Sequence, residues 1–282
     1  MIRINELSFG YGKKPFIEDM SFSVEKGEIF GFLGPSGAGK STLQKLLIGL
    51  LPGYSGNIRV FGGEVKNHGR DFYERIGIDF EFPTLYDKLS ARQNLRFFAS
   101  LYKNPVRDMD ALFKRVDLLN DADKKVFEFS KGMKSRLCFI RSLINNPDIL
   151  FLDEPTGGLD PTNARLVKEM ILEERAKGKT IILTTHRMED AQEMCDRVAF
   201  IVSGRIVALD SPRSLILKRG ASSLRYSFLE EGLEQAKECS LHETGTDERL
   251  SQLIRDGKLL TIHSAEPNLG DIFMEVTGRS LV

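Results

Sequence analysis

Short, almost wholly apolar runs punctuate this chain, and between them apolar residues recur at helical spacing. Ile29–Leu33, Ile149–Leu152, Ile181–Leu183 and Val198–Val202 have the pattern of strands covered on both faces of a parallel sheet. Leu43, Leu46, Leu47 and Leu50 share one helical face, stopped by Pro52-Gly53, and Leu166, Val167, Met170 and Ile171 share another. That alternation predicts an α/β fold with a parallel core sheet. Ile2–Leu7, Phe22–Val24 and Ile58–Val60 are short and flanked by turn residues, which predicts an antiparallel N-terminal side sheet. Residues 84–145 read mostly as helix and predict a helical lobe. After Ser211-Pro212 the character changes. Leu224–Phe228 and Lys258–His263 alternate like exposed strands, Leu250, Leu253 and Ile254 suggest a helix, and Ile272–Val276 a last one. The expected organisation is one large domain over 1–215 and a small α+β appendage over 216–282.

Composition narrows the classes. The 282 residues carry a formal net charge of +0 and 41% hydrophobic content. That balance argues against a broad nucleic-acid surface, which needs a basic excess. No apolar run approaches the ~18 residues of a membrane span, and no long apolar stretch follows Met1–Asn5 to suggest a signal peptide. Cys138, Cys195 and Cys239 lie far apart and read as neutral thiols of a reducing compartment rather than as metal ligands.

Gly34, Pro35, Ser36, Gly37, Ala38, Gly39, Lys40, Ser41 and Thr42 satisfy the P-loop pattern, with an apolar strand before and a helix after. Glycines let backbone N–H groups wrap phosphates closely, and the helix N-terminus favours negative charge. Lys40 is expected to reach the β- and γ-phosphates of a nucleoside triphosphate, and Ser41 to ligate Mg²⁺. Further on, Ile149–Leu152 delivers Asp153 and Glu154 at a strand end. Asp153 would hold the metal, and Glu154 would polarise the attacking water. Two adjacent acids beside a polyphosphate repel it unless a cation lies between, so the charges require the metal.

One helix before that strand stands Phe129-Ser130-Lys131-Gly132-Met133-Lys134-Ser135-Arg136. With it, residues 1–215 resemble the ATP-binding subunits of ABC transporters, and this octet resembles their signature loop in a Lys-Gly-Met variant. Ser130 as N-cap would aim a helix N-terminus at an anion. The resemblance implies that the anion is the γ-phosphate held by a partner subunit, met by Ser130 and Gly132. Tyr11 resembles the aromatic residue that stacks on adenine, the alternative being a plain core aromatic. Gly158-Leu159-Asp160 resembles the loop that touches the partner subunit, and Asp160-Pro161 would also start a helix well. His186, after Thr184-Thr185, resembles the switch histidine that donates to the γ-phosphate and orients Glu154 and water.

Three positions depart from the family pattern. Alignment of Arg75–Pro83 places Glu81 where the family usually has Gln. Glu81 is expected to sense the metal, and its charge would either tighten the metal or repel the γ-phosphate. Met133 replaces a usual Gln and Lys131 a usual Gly. Lys131 either adds positive charge at the opposing γ-phosphate or is simply solvated.

The resemblance implies a homodimer, or a heterodimer with a related ATPase subunit, that sandwiches ATP and Mg²⁺ at the cytoplasmic face of a membrane. Integral membrane permease subunits would dock on residues 82–105, and nucleic acid is not an expected partner. The Lys-Gly-Met signature and the closing Asp271–Gly278 resemble bacterial drug- and polysaccharide-type exporters, which points to export. Two other readings share the motifs. A repair or translation ATPase of the superfamily usually shows a long coiled coil, zinc-binding cysteines or two fused nucleotide domains, and none is visible. A nucleotide-sensing subunit that barely turns over is opposed by the intact Lys40, Asp153, Glu154 and His186.

Overall fold

The computed structural model describes residues 1–12, 14–104, 106–219, 223–230, 232–265 and 267–278. Pro105, in the expected contact segment 82–105, and residues 220–222, 231, 266 and 279–282, in the expected appendage, lie outside the described residues. The chain forms two compact units that divide between Leu209 and Asp210.

Strands β1 (Ile2–Tyr11) and β2 (Lys14–Val24) pair antiparallel. Ile2, Ile4, Leu7 and Phe9 of β1 are buried, as are Ile17, Met20, Phe22 and Val24 of β2, so neither strand keeps a strict period of two. Glu6 and Asp19 adopt left-handed backbone, at φ 49° and 48°. Each bulge re-phases the strand so that the next apolar residue still faces inward. Ser21 and Ser8 accept the bulge N–H groups of Glu6 and Asp19 at 2.8 and 2.9 Å. These bulges are why the alternation read in sequence stops short of the real strand ends.

The chain then enters the buried core as β3 (Ile29–Leu33) and turns into helix α1 (Lys40–Leu47). The helix ends a turn earlier than its leucine spacing suggests. Gly49 takes φ 76°, its N–H bonds to the Leu46 carbonyl, and the Leu50 N–H bonds to the Lys45 carbonyl, a Schellman closure. Leu50 is left 50% exposed, outside the helical face assigned to it from sequence. Strands β4 (Ser55–Val60) and β5 (Gly63–Glu64) complete a side sheet of order β2-β1-β4-β5.

Helix α2 (Arg70–Glu74) leads into β6 (Ile76–Asp79), and the helical region follows as α3 (Ala91–Ala99), α4 (Met109–Arg115) and α5 (Lys131–Leu143). A reciprocal cap between Ser90 and Gln93 starts α3. The backbone of α5 approaches β6 so closely that a Cβ on Gly77 would lie 2.0 Å from the Ser142 carbonyl oxygen. Then come β7 (Ile149–Asp153), α6 (Pro161–Ala176), β8 (Thr180–Thr185), α7 (Met188–Met194), β9 (Arg197–Val202) and β10 (Arg205–Asp210). The central sheet has the order β10-β9-β3-β8-β7-β6, and β9, β3, β8, β7 and β6 pair in parallel. Parallel pairing sets the carboxyl ends of β3, β8, β7 and β6 side by side, where open α/β sheets bind their ligands.

The second unit contains α8 (Pro212–Arg219), β11 (Ser223–Glu230), β12 (Leu233–Ser240), α9 (Glu248–Arg255), β13 (Leu259–Ala265) and α10 (Leu269–Thr277). Its sheet runs β12-β11-β13 around Tyr226, Phe228, Leu250 and Leu253. Strand β12 has no counterpart in the sequence reading, because its residues are exposed or half-buried and show no apolar face. Among the described residues, no helix is long and apolar enough to cross a membrane.

Gly77→Ala should cost about 2 kcal/mol, the scale of overpacking a closed contact. Urea denaturation should show a lower midpoint with an unchanged slope. An unchanged midpoint would show that β6 and α5 can separate freely.

Candidate active site

The loop from Gly34 to Gly39 joins a buried strand to a helix start. Gly39 takes φ 114°, which a side chain would strain, and a Cβ there would also lie 2.8 Å from Ile17 Cδ1. A Cβ on Gly34 would collide with the Ile201 carbonyl oxygen at 2.2 Å. Ser36 and Gly37 are exposed at the loop's crest. Lys40 is buried, and its ammonium donates to the carbonyl oxygens of Gly34 at 2.6 Å and Pro35 at 3.1 Å. Burial lowers its pKa, while Glu154, Asp153 and Glu81 raise it, and burial wins. The three acids thus sit near enough to act on the same ammonium. Ser41 is half-buried at the first turn of α1.

Asp153 ends β7 buried, and Thr184 of the neighbouring β8 donates to its Oδ1. Glu154 follows in left-handed backbone, φ 52°, a conformation that costs energy in a residue with a side chain and clusters at functional sites. Its carboxylate is held from β8. The Thr185 hydroxyl donates to Oε2 at 3.2 Å, and the His186 backbone N–H donates to Oε1 at 3.0 Å. The His186 ring nitrogen Nδ1 lies 2.8 Å from the same Oε1. With its proton on Nδ1, the ring donates to Glu154 and turns Nε2 outward.

Glu81, Asp153, Glu154 and His186 line one cavity of about 250 Å³, with Lys131 and Asp79. Asp79 is a member the sequence reading missed. It is buried, and its Oδ1 has no hydrogen-bond partner. Burial pushes its carboxyl up to about 7, with Arg141 pulling the other way and Asp153 adding to the rise. A carboxylate closing an apolar strand was the available signal, as it was for Asp153. In the sequence Thr184 and Thr185 stand simply as neighbours of His186. Their hydroxyls at the end of an otherwise apolar strand were the clue to their role as clamps.

Tyr11 is 57% exposed. Its hydroxyl lies 3.2 Å from Thr42 Oγ1, and its ring packs edge-on against Phe9 and Phe16. One face therefore stands beside the phosphate loop. Ser130 caps α5 by accepting the Met133 N–H at 3.2 Å. Gly132 abuts the next loop, since a Cβ on it would lie 3.5 Å from Leu159 Cδ2. Asp160 caps α6, taking the N–H groups of Thr162 and Asn163 at 3.1 Å each, and Pro161 occupies the first helical turn. Among the described residues no hydrogen bond or ion pair ties Ser130, Gly132 or Asp160 to Gly34–Thr42 of the same chain.

A glycine loop opening a helix, a buried lysine, and an Asp-Glu pair closing a nearby parallel strand define a P-loop nucleoside triphosphatase. The ABC transporter family profile matches residues 17–157. The chain is 51% identical over 285 residues to the fluoroquinolones export ATP-binding protein of Mycobacterium tuberculosis (strain CDC 1551 / Oshkosh), covering 100% of this chain and 94% of that one. It is 36% identical over 297 residues to the Nod factor export ATP-binding protein I of Rhizobium meliloti (strain 1021), covering 99% and 89%. A solved ATP binding subunit of an ABC transporter superposes with TM-score 0.71 at 29% identity, covering 78% of this chain and 93% of that one. A dimeric ATP-binding cassette in a post-hydrolysis state, bound to ADP and Pi, shares the fold with TM-score 0.67 at 21% identity, over 75% and 98% of the two chains. This chain belongs to the ABC transporter family, as an ATP-binding subunit that hydrolyses ATP.

Asp79 generates a pH prediction for the nucleotide-free protein. Its folded value of about 7 lies above its ordinary 3.8, so within that window the folded state binds more protons than the unfolded state. Stability must therefore fall as pH rises through the window and level off above it. Asp79→Asn should remove that slope and match or exceed the wild type in stability above about pH 7. Thermal melting from acid to mildly alkaline pH checks this. Parallel curves for the two proteins would rule Asp79 out as the cause.

Proposed function

We propose that this chain pairs head to tail with a second copy, or with a related ATPase subunit, around two ATP molecules, and that hydrolysis powers export through separate membrane subunits. The observation that carries the reading is the convergence of Lys40, Asp153, Glu154 and His186 at the ends of adjoining parallel strands. The export names of both relatives support the direction. Those names also cite unlike cargo, fluoroquinolones and Nod factor, which fits cargo choice by the membrane subunits.

Each residue has a role in phosphoryl transfer. Backbone N–H groups of Gly34–Thr42 wrap the phosphates, Lys40 balances their charge, and Tyr11 stacks on the adenine. Glu154, fixed by Thr185 and His186, takes a proton from the attacking water through Oε2. The water oxygen bonds to the γ-phosphorus, and the bridging P–O bond breaks with its electron pair leaving on ADP. With both ring nitrogens protonated, His186 donates Nδ1–H to Glu154 and Nε2–H to the γ-phosphate. These steps need positioning and charge compensation rather than a covalent intermediate.

The site suits Mg²⁺. Among the described residues no three His, Cys, Asp or Glu side chains form a metal-sized cluster, so there is no all-protein cage. Mg²⁺ uses few protein oxygens and completes its shell with water and phosphate. Ser41 Oγ and the Asp153 carboxylate would hold it, with Glu81 from the adjoining strand end. When bound, Mg²⁺ supplies neutralisation of the charge that develops on the phosphate oxygens.

Ser130 and Gly132 serve the other subunit's ATP. The first turn of α5 leaves backbone N–H groups without helical partners, and they make no bond to this chain's own phosphate loop. Asp160, on the neighbouring loop, faces the same partner. On the membrane side, Phe82 is 76% exposed. A groove of about 240 Å³ is lined by Phe80, Thr84, Phe98, Tyr102 and Arg141. Arg141 donates to the Thr84 carbonyl and hydroxyl at 2.6 and 2.9 Å and lies 4.8 Å over the Phe98 ring. It ties the segment after Glu81 to the groove that receives a helix of the membrane subunit. The chain therefore works as a peripheral subunit at the cytoplasmic face.

Glu154→Gln should lower turnover by roughly 10²–10⁴-fold, the range for losing a general base, while ATP binding persists. Gel filtration with ATP should then show a dimer, and a monomer alone would count against the sandwich. Glu81→Ala should raise the Mg²⁺ concentration needed for half-maximal turnover. An unchanged Mg²⁺ titration would remove Glu81 from the metal's surroundings.

A further inference from the structure

The outer face of the side sheet carries a positive concavity that the ATP site does not use. Arg3 on β1 lies directly opposite Arg59 on β4 in the antiparallel register, and both are exposed. Like charges facing each other across a strand pair repel and lower stability. Neither guanidinium has an ion pair or hydrogen bond among the described residues. The carboxylate in register with Arg59 is that of Glu64 on β5, but it is engaged elsewhere. Glu64 accepts from the Tyr54 hydroxyl at 2.8 Å, from the Ile58 N–H at 3.3 Å and from the Asn57 side chain.

Arg75 adds a third guanidinium at the rim. It lies 3.7 Å over the Phe61 ring, and its Nε donates to Asp148 at 2.8 Å. Stacking and the carboxylate fix its position, and the pair remains about half exposed, at 48% and 46%. The concavity bounded by these arginines, with Asn5 and Asn57 among its lining, measures about 810 Å³. That lies toward the upper end of the ~300–1,000 Å³ range of small-molecule sites, so it has room for more than a single small ion. None of its lining residues belongs to the ATP site.

We propose that this concavity is a second anion site, for a phosphate-bearing ligand, with Arg3 and Arg59 as its two free forks and Arg75 as a fixed third cation. Guanidinium forks match phosphate oxygens in pairs. Two forks on facing strands, ~5 Å apart at the backbone, suit a pyrophosphate or phosphodiester unit. Binding replaces repulsion between Arg3 and Arg59 with attraction of both to the ligand, so occupancy and side-sheet stability rise together. The chemistry is shared by soluble oligophosphates and by anionic phospholipid headgroups.

The test uses the full chain saturated with ADP, so that Gly34–Thr42 is already filled. One arm titrates inorganic pyrophosphate by calorimetry and thermal melting. The other floats the protein with vesicles of phosphatidylglycerol mixed with phosphatidylcholine, against phosphatidylcholine alone. The wild type should bind pyrophosphate beyond the nucleotide with a rise in melting temperature, or float with the anionic vesicles. Pyrophosphate uptake alone identifies a soluble ligand, and flotation alone a lipid headgroup. The double variant Arg3→Gln/Arg59→Gln should weaken that binding roughly tenfold or more, as lost charge-assisted hydrogen bonds do. Without ligand it should melt no lower than the wild type, since a repulsion has been removed. Equal binding by the two proteins, or no uptake in either arm, would overturn the proposal.

Discussion

Asp153 and Glu154 stand side by side at the end of β7, and Lys40 acts on the same charges from the first turn of α1. Asp79 and Glu81 close the other side, from the end of β6. Four carboxyl groups next to the proposed polyphosphate site repel one another and any anionic ligand unless each is held, neutralised or matched by a cation. The fold supplies those means locally. Strand β8 lies between β3 and β7 and contributes Thr184, Thr185 and His186, which grip Asp153 and Glu154 from one side. Asp79 meets the same pressure differently, because burial favours its protonated form.

Parallel strand order makes this possible. Only neighbouring parallel strands bring their carboxyl ends to one edge, so residues far apart in sequence arrive together without a long loop. Packing then holds the edge rigid, with Gly77 pressed against α5 and Gly34 against Ile201. The same rigidity links the site to the exposed aromatic surface after Glu81. Arg141 reaches from α5 to Thr84, so a shift of the Glu81 segment would strain a buried cation's hydrogen bonds and a ring contact together.

Much of this was legible in the sequence, because the central strands are buried on both faces and leave unbroken apolar runs. The glycine loop stands out because a strand precedes it and a helix with Lys-Ser follows, and the Asp-Glu pair gains its meaning from that loop upstream. The side sheet was harder to read, since the bulges at Glu6 and Asp19 break the period of two. Strand β12 could not be read by apolar periodicity, as it buries no face. The α1 leucine pattern ran past the true helix end because Gly49 closes the turn through backbone conformation, which apolar spacing does not record. Asp79, Thr184 and Thr185 are hard to single out in the sequence for a related reason. Their importance lies in which strands are neighbours, and strand order is not written in any local pattern.

The proposed mechanism requires each ATP to be completed by two chains. A crystal structure with Mg²⁺ and a non-hydrolysable ATP analogue tests it directly, by the distances from the γ-phosphate oxygens to Ser130 Oγ and the Gly132 N–H. Hydrogen-bond distances of ~3 Å are expected to the nucleotide held in the Gly34–Thr42 loop of the opposing subunit. A γ-phosphate whose every protein contact came from a single chain would contradict it.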